Sequence, residues 1–187
     1  TETGQSNLFD VISSSVDHFD ISAISSPQTA GEAFSITIIA KDANDNTVTS
    51  FTGTANLSDV TGTISPTITG SFSSGVWEGN VTITKSISGD IITVTSSGKS
   101  GTSNSFNVVA GALDHFAFAT ISSPQTAGAA FSVIITAEDA YNNQRTQFND
   151  TVTLTDDTGT LTPDSVTFSS GQWTGNVTIT KAQSDVR

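Results

Sequence analysis

Two clusters of acidic and amide residues are the places where this sequence could bind a metal ion. They comprise Asp42, Asn44, Asp45 and Asn46 in the first cluster, and Asp139, Asn142 and Asn143 in the second. Calcium takes six to eight oxygen ligands, which carboxylate and amide side chains in a loop can supply. The sequence therefore predicts calcium as the one candidate cofactor, with four candidate ligands: Asp42, Asp45, Asp139 and Asn142.

Neither cluster is an EF-hand, because the Asp-x-Asp-x-Asp-Gly spacing and the closing Glu are missing. The interpretation that the sequence favours over calcium is a hairpin turn that Asp and Asn stabilise through side-chain hydrogen bonds to nearby backbone. Asp42 and Asp139 are the best first ligands, since each stands at a predicted strand end and faces the loop. Asp17 and Asp114, which follow the predicted linkers, mark a second candidate place for a metal.

The remaining reactive residues form no catalytic arrangement in the sequence. His18 and His115 are the only histidines and the chain has no cysteine, so neither histidine has the partners of a zinc site. The sequence contains no nucleophile elbow, and it places no two carboxylates at a common cleft, as glycoside hydrolysis requires. We therefore expect no enzymatic activity.

Alternation along the predicted long strand Val76–Lys85 separates inward from outward side chains. Trp77 shares one face with the apolar residues of that strand, so we expect it to be a core residue and not a platform for sugar stacking. Asn80 lies on the opposite face, as does Asn176 in the equivalent later segment. Each of these two asparagines opens an Asn-x-Thr sequon, which makes both of them glycosylation candidates.

An internal repeat explains why these features come in pairs. The eight residues Ile24–Gly31 return letter for letter as Ile121–Gly128, 97 positions downstream. Later the offset is 96, so that Gly79–Lys85 returns as Gly175–Lys181. A repeat of nearly domain size indicates an array of similar folded units.

Period-two alternation of apolar and polar residues predicts β-strands through most of each unit. His18–Ile21 is the expected first strand, Ile24–Gly31 a turn, and Ile92–Thr95 and Phe106–Val109 the closing strands. About seven or eight short strands in roughly 95 residues, without a helix, are typical of a two-sheet sandwich. The predicted fold is therefore all-β, with tandem immunoglobulin-like antiparallel β-sandwiches.

The repeat also predicts the domain boundaries. Residues 4–9 align with residues 101–106, so residues 1–15 are expected to be the closing strand of a preceding repeat. Residues 16–111 are then a complete immunoglobulin-like repeat. Residues 112–187 are a second one, truncated before its last two strands because Arg187 aligns with Ile91. We expect the chain to be a piece of a longer array.

Charge and hydropathy exclude several classes of partner. The chain has 6 Lys and Arg residues against 18 Asp and Glu residues, a net charge of -12. This balance argues against nucleic acid and against an anionic membrane surface as partners. No stretch is long enough for a transmembrane helix, so we expect no membrane insertion in this segment.

The order of motifs resembles a known family of surface domains. Each repeat carries Thr-Ala-Gly, alternating apolar residues, Asp-Ala-x-x-Asn, and then Gly-x-Trp-x-Gly-Asn-Val-Thr-Ile-Thr. This pattern is similar to tandem bacterial and archaeal immunoglobulin-like domains, the Big and invasin-like repeats of adhesins, S-layer proteins and exported glycanases. The sequence departs from that family at Asp45-Asn46 and Asn142-Asn143, where Gly-Asn is common. The resemblance implies an extracellular or cell-surface location.

The sequence thus predicts a non-catalytic structural or spacer module of an extracellular or cell-surface repeat protein, in a stalk or a surface layer. Its expected partners are neighbouring repeats of the same protein, with other copies or cell-surface glycans as further candidates. One alternative is an adhesin module that binds a polysaccharide or a receptor. Another is an assembly subunit that exchanges strands, because residues 1–15 match the closing strand that the second repeat lacks.

Overall fold

A computed structural model describes residues 4–187, which form fifteen β-strands and no helix. The strands are β1 (His18–Ile21), β2 (Gln28–Thr29), β3 (Ala33–Lys41), β4 (Asn56–Asp59), β5 (Val76–Thr82), β6 (Ile87–Asp90), β7 (Ile92–Ser96), β8 (Lys99–Thr102), β9 (Phe106–Val109), β10 (His115–Phe118), β11 (Ala130–Glu138), β12 (Thr151–Thr153), β13 (Leu161–Thr162), β14 (Ser165–Thr167) and β15 (Gln172–Ile179). The prediction of an all-β fold built from antiparallel sheets is confirmed. Within these residues no helix could cross a membrane.

The chain divides into two compact units. The first contains the described residues up to Ser26, together with Ala33–Ile83 and Gly89–Asn107. The second contains Pro27–Glu32, Thr84–Ser88 and Val108–Arg187. The second unit therefore includes two short segments that precede the predicted start of the second repeat, and the boundaries of the repeats stay a prediction.

The first unit contains two three-stranded antiparallel sheets, with strand orders β1-β3-β5 and β4-β7-β8. Its longest strand, β3, alternates as the sequence requires, because Ile36, Ile38 and Ala40 are buried and the residues between them are more exposed. The register places Ile38 opposite Trp77 of β5 and Ala40 opposite Phe19 of β1. One face of β3 thus forms the centre of this core.

The second unit repeats the first sheet. Its strand order is β10-β11-β15-β13, and β12 and β14 form a separate two-stranded sheet. In β11 the buried positions are Val133, Ile135 and Ala137, which pack with Val166, Phe168 and Val177. This core therefore lies on the same face of β11 as the first core does on β3, the equivalent strand.

Three phenylalanine rings pack together in each unit. Phe19, Phe51 and Phe72 have ring centroids 4.9 to 6.0 Å apart, and Phe116, Phe148 and Phe168 have centroids 5.2 to 5.6 Å apart. Most of these pairs meet edge to face, the arrangement that aromatic quadrupoles favour. Because the three positions return at offsets of 97 and 96, the ring cluster is a second feature that the repeat preserves.

The Trp-x-Gly motif of the long strand has a steric reason. A Cβ atom at Gly79 would stand 2.4 Å from the Trp77 ring, and one at Gly175 would stand 2.4 Å from the Trp173 ring. Each half-buried indole therefore lies over the glycine two residues later, where any side chain would displace it. Trp173 packs against the core of its unit, as the alternation of the strand led us to expect.

The structure differs from the expected turn at Ile24–Gly31. Gln28 and Thr29 form the short strand β2, which pairs in parallel with β9 through Val108 and Val109. The N–H of Ala30 continues the pairing by donating to the carbonyl of Val109 at 2.8 Å. Two residues are too few to show a period in the sequence, so the pattern gave no signal for this strand.

The segment before β1 forms no strand between residues 4 and 17. It carries four apolar side chains that are exposed: Leu8, Phe9, Val11 and Ile12. The prediction that residues 1–15 close a preceding repeat stays a prediction, and residues 1–3 of that range lie outside the described residues.

Candidate functional site

The Asp42 carboxylate is the centre of the first polar loop. The residue directly follows β3 and is only 1% exposed. Its Oδ1 accepts the N–H groups of Asn44 and Asn46 at 2.9 and 3.0 Å. Its Oδ2 accepts the N–H of Ser14 at 2.9 Å, and the side-chain Nδ2 of Asn46 donates to both oxygens at 3.2 and 3.3 Å. Both buried oxygens are therefore satisfied by nitrogen donors.

Asp139 repeats this arrangement after β11, and it too is 1% exposed. Its Oδ1 accepts the N–H groups of Tyr141 and Asn143 at 2.9 and 3.0 Å. Its Oδ2 accepts the N–H of Gly111 at 2.8 Å and the Nδ2 of Asn143 at 3.0 Å. Ser14 and Gly111 are 97 positions apart, as are the two aspartates. In both repeats, therefore, the equivalent carboxylate accepts N–H groups from its own loop and from the backbone segment that precedes the first strand.

The amide of Asn143 is more deeply engaged than that of its counterpart, Asn46. Asn143 is buried, whereas Asn46 is exposed. Within the second unit, the Nδ2 of Asn143 also donates to the carbonyl of Thr84 at 2.7 Å, and its Oδ1 accepts the N–H of Ser86 at 2.9 Å. A buried amide needs such partners on both its oxygen and its nitrogen. Asn143 therefore ties the loop to a third backbone segment.

Asp45 and Asn142 shape the loops by their backbone. Their φ angles are 63° and 60°, in the left-handed region that Asp and Asn tolerate better than most residues. The N–H of Asp45 donates to the carbonyl of Asp42 at 3.0 Å, which closes the turn. The Asp45 carboxylate lies 3.4 Å from Nε2 of His18. Asp45 and Asn142 are thus the positions in these two loops that adopt a positive φ.

The four candidate calcium ligands belong to two separate loops, Asp42 and Asp45 to the loop after β3, and Asp139 and Asn142 to the loop after β11. Asp42 lies in the first unit and Asp139 in the second, and their oxygens already accept hydrogen bonds from nitrogen. The part of the chain that the structure describes contains no group of three or more His, Cys, Asp or Glu side chains placed to hold a metal. The geometry is that of the hairpin turn held by side-chain hydrogen bonds, and calcium binding stays a prediction.

Hydrogen bonding sets the acidity of both aspartates. The N–H of Ser14 is the largest cause that lowers the pKa of Asp42 to about 2, and burial opposes it. Burial by itself raises the pKa of Asp139, but the bonds from Asn143, Gly111 and Tyr141 together outweigh it and lower that pKa. Because the pKa values of Asp42 and Asp139 are lowered in the folded state, the two carboxylates stabilise the fold at pH values above their ordinary pKa of 3.8. That stability is lost as the pH falls towards 2.

Sequence reasoning missed a second carboxylate loop in each repeat, at Asp59 and Asp156. Asp59 accepts the N–H groups of Thr61 at 3.0 Å and of Ile64 at 2.9 Å. The Asp156 carboxylate likewise accepts three N–H groups, from Thr158, Thr160 and Leu161. The hydroxyl of Thr158 is the first cause that lowers the pKa of Asp156. The signal was present in the sequence, since Asp-x-Thr-Gly-Thr occurs at 59–63 and again at 156–160.

Asp90 is the exception among the buried carboxylates. Its Oδ1 accepts the N–H groups of Val60 at 3.0 Å and of Ile91 at 2.8 Å. Its Oδ2 is buried and has no hydrogen-bond partner among the described residues. Burial raises the pKa of Asp90 more than these two bonds lower it, and the charge of Asp59 raises it further. The first unit therefore carries one carboxyl group whose ionisation is unfavourable.

The glycosylation candidates Asn80 and Asn176 are exposed, on β5 and β15. They stand opposite Ser35 and Ser132 in the neighbouring strands. Their outward orientation agrees with the alternation read from the sequence. Modification of either residue stays a prediction.

No protein-family model and no curated protein sequence matches the chain. Among solved structures, the Escherichia coli adhesin FdeC shares 19% identity at a TM-score of 0.49, covering 92% of this chain and 58% of that chain. Domains 5–6 of the S-layer protein SbsC share 17% identity at a TM-score of 0.38, covering 88% of this chain and 84% of that one. The chain thus spans just over half the length of the adhesin structure. No residue role follows from these distant likenesses.

Replacing Asp139 by alanine tests the hairpin-turn interpretation against calcium binding. We expect Asp139→Ala to lower the free energy of unfolding by about 2 kcal/mol, because it leaves buried N–H groups without an acceptor. The control Asn142→Asp keeps a residue that tolerates the left-handed turn, and it should change the free energy by less than about 0.5 kcal/mol. Urea unfolding with calcium and with a chelator measures both variants. A calcium-dependent stabilisation that Asp139→Ala removes would establish the metal site instead.

Replacing Asp90 by asparagine tests the unfavourable buried carboxyl group. The pKa of Asp90 is raised in the folded state. The contribution of this carboxyl group to the free energy of unfolding is therefore fully present below pH 3.8, and it is lost as the pH rises through the folded-state pKa. We expect Asp90→Asn, which keeps an acceptor oxygen without the charge, to stabilise the first unit by about 1 kcal/mol at pH 7. The gain should shrink as the pH falls to 3. Unfolding curves at several pH values measure this, and destabilisation of equal size at every pH would contradict it.

Proposed function

We propose that the chain is a non-catalytic structural module of an extracellular or cell-surface repeat protein, in which folded repeats act as spacers. The observation that carries the proposal is how both repeats use their most polar loop. Asp42 and Asp139 accept N–H groups from their own loops and from Ser14 and Gly111, in the segments that lead into each repeat. The side chains best suited to chemistry are therefore occupied in holding the backbone.

A spacer transmits load through the segment that enters each folded unit. In the first unit the N–H of Asp17 donates to the carbonyl of Lys41 at 2.7 Å, and the N–H of Ser14 donates to Asp42. In the second unit the N–H of Asp114 donates to the carbonyl of Glu138 at 2.8 Å. The entering segment is thus fastened to the end of the central strand by a backbone bond and a charged side chain. Hydrogen bonds to a charged acceptor are stronger than neutral ones.

The alternative function is an adhesin module that binds a polysaccharide or receptor. The observation that favours it is the exposed ring of Tyr141 at the tip of the second polar loop. Tyrosine is common in binding surfaces because its ring is large and its hydroxyl is polar. One exposed ring gives a small contact area, so we place the spacer function first.

Pulling single molecules of the chain by its two ends tests the spacer function. We expect Asp42→Ala to lower the force at which the first unit unfolds, because it removes the anchor of the entering segment. The control Asp45→Asn keeps the left-handed turn and should leave that force unchanged.

Two outcomes would contradict the proposal. If Asp42→Ala leaves the unfolding force of the first unit unchanged, this carboxylate does not bear load. Retention of the chain on chitin, cellulose or peptidoglycan, abolished by Tyr141→Ala, would assign the adhesin function instead.

A further inference from the structure

Asp90 stands at a corner of the first unit, between the end of β6 and the start of β7. The residue is 0% exposed. Its Oδ1 accepts the N–H groups of Val60 and Ile91, so these donors reach only one of its two oxygens. The buried Oδ2 has no hydrogen-bond partner among the described residues. An ionised oxygen in such a place is unfavourable, so Oδ2 requires either a donor or a proton of its own.

The group beside Asp90 is a second carboxyl group, that of Asp59. Asp59 ends β4, and its backbone is paired with Ile92 at the start of β7. The Val60 N–H that reaches Asp90 comes from the next residue of the chain. The side chains of Asp59 and Asp90 lie within hydrogen-bonding reach of each other. Two carboxylates are both acceptors and cannot form a hydrogen bond, so a bond between them requires one proton.

The donors around the two side chains decide which of them carries that proton. The Asp59 carboxyl accepts the N–H groups of Thr61 at 3.0 Å and of Ile64 at 2.9 Å, and the hydroxyl of Thr61 also donates to it. An ionised carboxylate is the acceptor that suits such a set of donors. Asp90 is fully buried and has an oxygen without a donor. The proton therefore belongs on Oδ2 of Asp90, from which it points to Asp59.

We propose that Asp59 and Asp90 share one proton, and that this pair is a pH-sensitive latch between the loop of residues 59–64 and the corner at Asp90. In the closed latch, Oδ2 of Asp90 carries the proton and donates it to the Asp59 carboxylate. As the pH rises the proton passes to water, and two carboxylates of like charge are left in contact. Their repulsion and the burial of Asp90 then favour separation of the loop from the corner. The latch is independent of the spacer function proposed above.

The sign of the pH dependence follows from the form that the fold stabilises. Burial is the largest cause that raises the pKa of Asp90, two N–H donors oppose it, and the charge of Asp59 raises it further. The stabilisation by the latch is therefore fully present below pH 3.8, and it is lost as the pH rises through the folded-state pKa. This sign is opposite to that of Asp42, whose carboxylate stabilises the fold above 3.8.

The second repeat contains the same loop without the second carboxyl group. The Asp156 carboxylate accepts three N–H groups from its loop, and the position equivalent to Asp90, at an offset of 96, is Val186. The pKa of Asp156 is lowered, first by the hydroxyl of Thr158. This is the behaviour of a carboxylate that meets donors alone, so the second repeat provides an internal control.

Carbon-13 NMR of the side-chain carboxyl groups of the full chain tests the shared proton. We expect the Asp90 carbon to titrate above pH 3.8 and the Asp59 carbon to respond to the same step, because interacting carboxyl groups titrate as a pair. In Asp59→Asn, which keeps an acceptor oxygen for the loop and brings an amide donor to Asp90, the Asp90 step should move down by about one pH unit or more. The control Asp156→Asn changes the matching loop and should leave that step in place.

Amide hydrogen exchange at Val60 tests the opening of the latch, because this N–H joins the loop to Oδ1 of Asp90. We expect its protection, corrected for the intrinsic pH dependence of exchange, to fall by about tenfold or more across the titration of the pair. In Asp90→Asn the side-chain oxygen still accepts the Val60 N–H and the amide donates to Asp59, as the protonated acid does. That variant should hold the latch closed, so the protection of Val60 should stay constant with pH.

The proposal is overturned if the Asp90 carbon titrates below pH 3.8, since an ionised Asp90 would then have found another donor, such as a buried water. It is also overturned if Asp59→Asn leaves the Asp90 step unchanged, or if the protection of Val60 in the wild-type chain is the same at every pH. If Asp59→Asn does not fold, Asp90→Asn decides, because the shared proton requires the Asp59 carbon to lose the step above 3.8 in that variant. Pulling measurements on Asp42→Ala do not depend on this pair, so the spacer function and the latch can fail separately.

Discussion

A carboxylate that is taken out of water must find hydrogen-bond donors, and this constraint organises the polar end of both repeats. Asp42 and Asp139 are each 1% exposed, so a charge without hydrogen-bond donors at either place would be unfavourable. The donors come from the following turn and from the segment that leads into the repeat. Asp45 and Asn142 adopt a left-handed backbone conformation. This conformation turns each loop back, so that its N–H groups can reach the carboxylate. The loop, the entering segment and the end of the central strand are thus fixed by one side chain.

The two repeats share this device and differ in what surrounds their cores. In the first, β7 and β9 add the buried residues Ile92, Val94 and Phe106. In the second, Val133, Ile135 and Phe168 pack as their counterparts do. In both repeats, therefore, one buried face of the central strand and the three-ring cluster form the centre of the core.

Much of the fold could be predicted from the sequence, because strands with one buried face leave a period of two. The strands β1, β5 and β9 were found in this way. The short strand β2 was not, since two residues show no period. At the candidate site the sequence located Asp42 and Asp139, but residue type alone could not decide whether their oxygens meet a cation or N–H groups. Asp59 and Asp156 were overlooked, because an Asp-x-Thr-Gly-Thr loop lacks the dense acidic composition that suggests a site. The unpartnered oxygen of Asp90 depends on packing that no local pattern records.

Amide hydrogen exchange at Ser14 tests the central role of the buried carboxylates most directly. Ser14 belongs to a segment without a strand, yet its N–H donates to Asp42 at 2.9 Å. The account predicts that at pH 7 this amide exchanges as slowly as the amides of β3, while the amide of the neighbouring Ser15 exchanges rapidly. Equal and rapid exchange at both serines would show that the carboxylate does not hold the entering segment, and it would contradict the account.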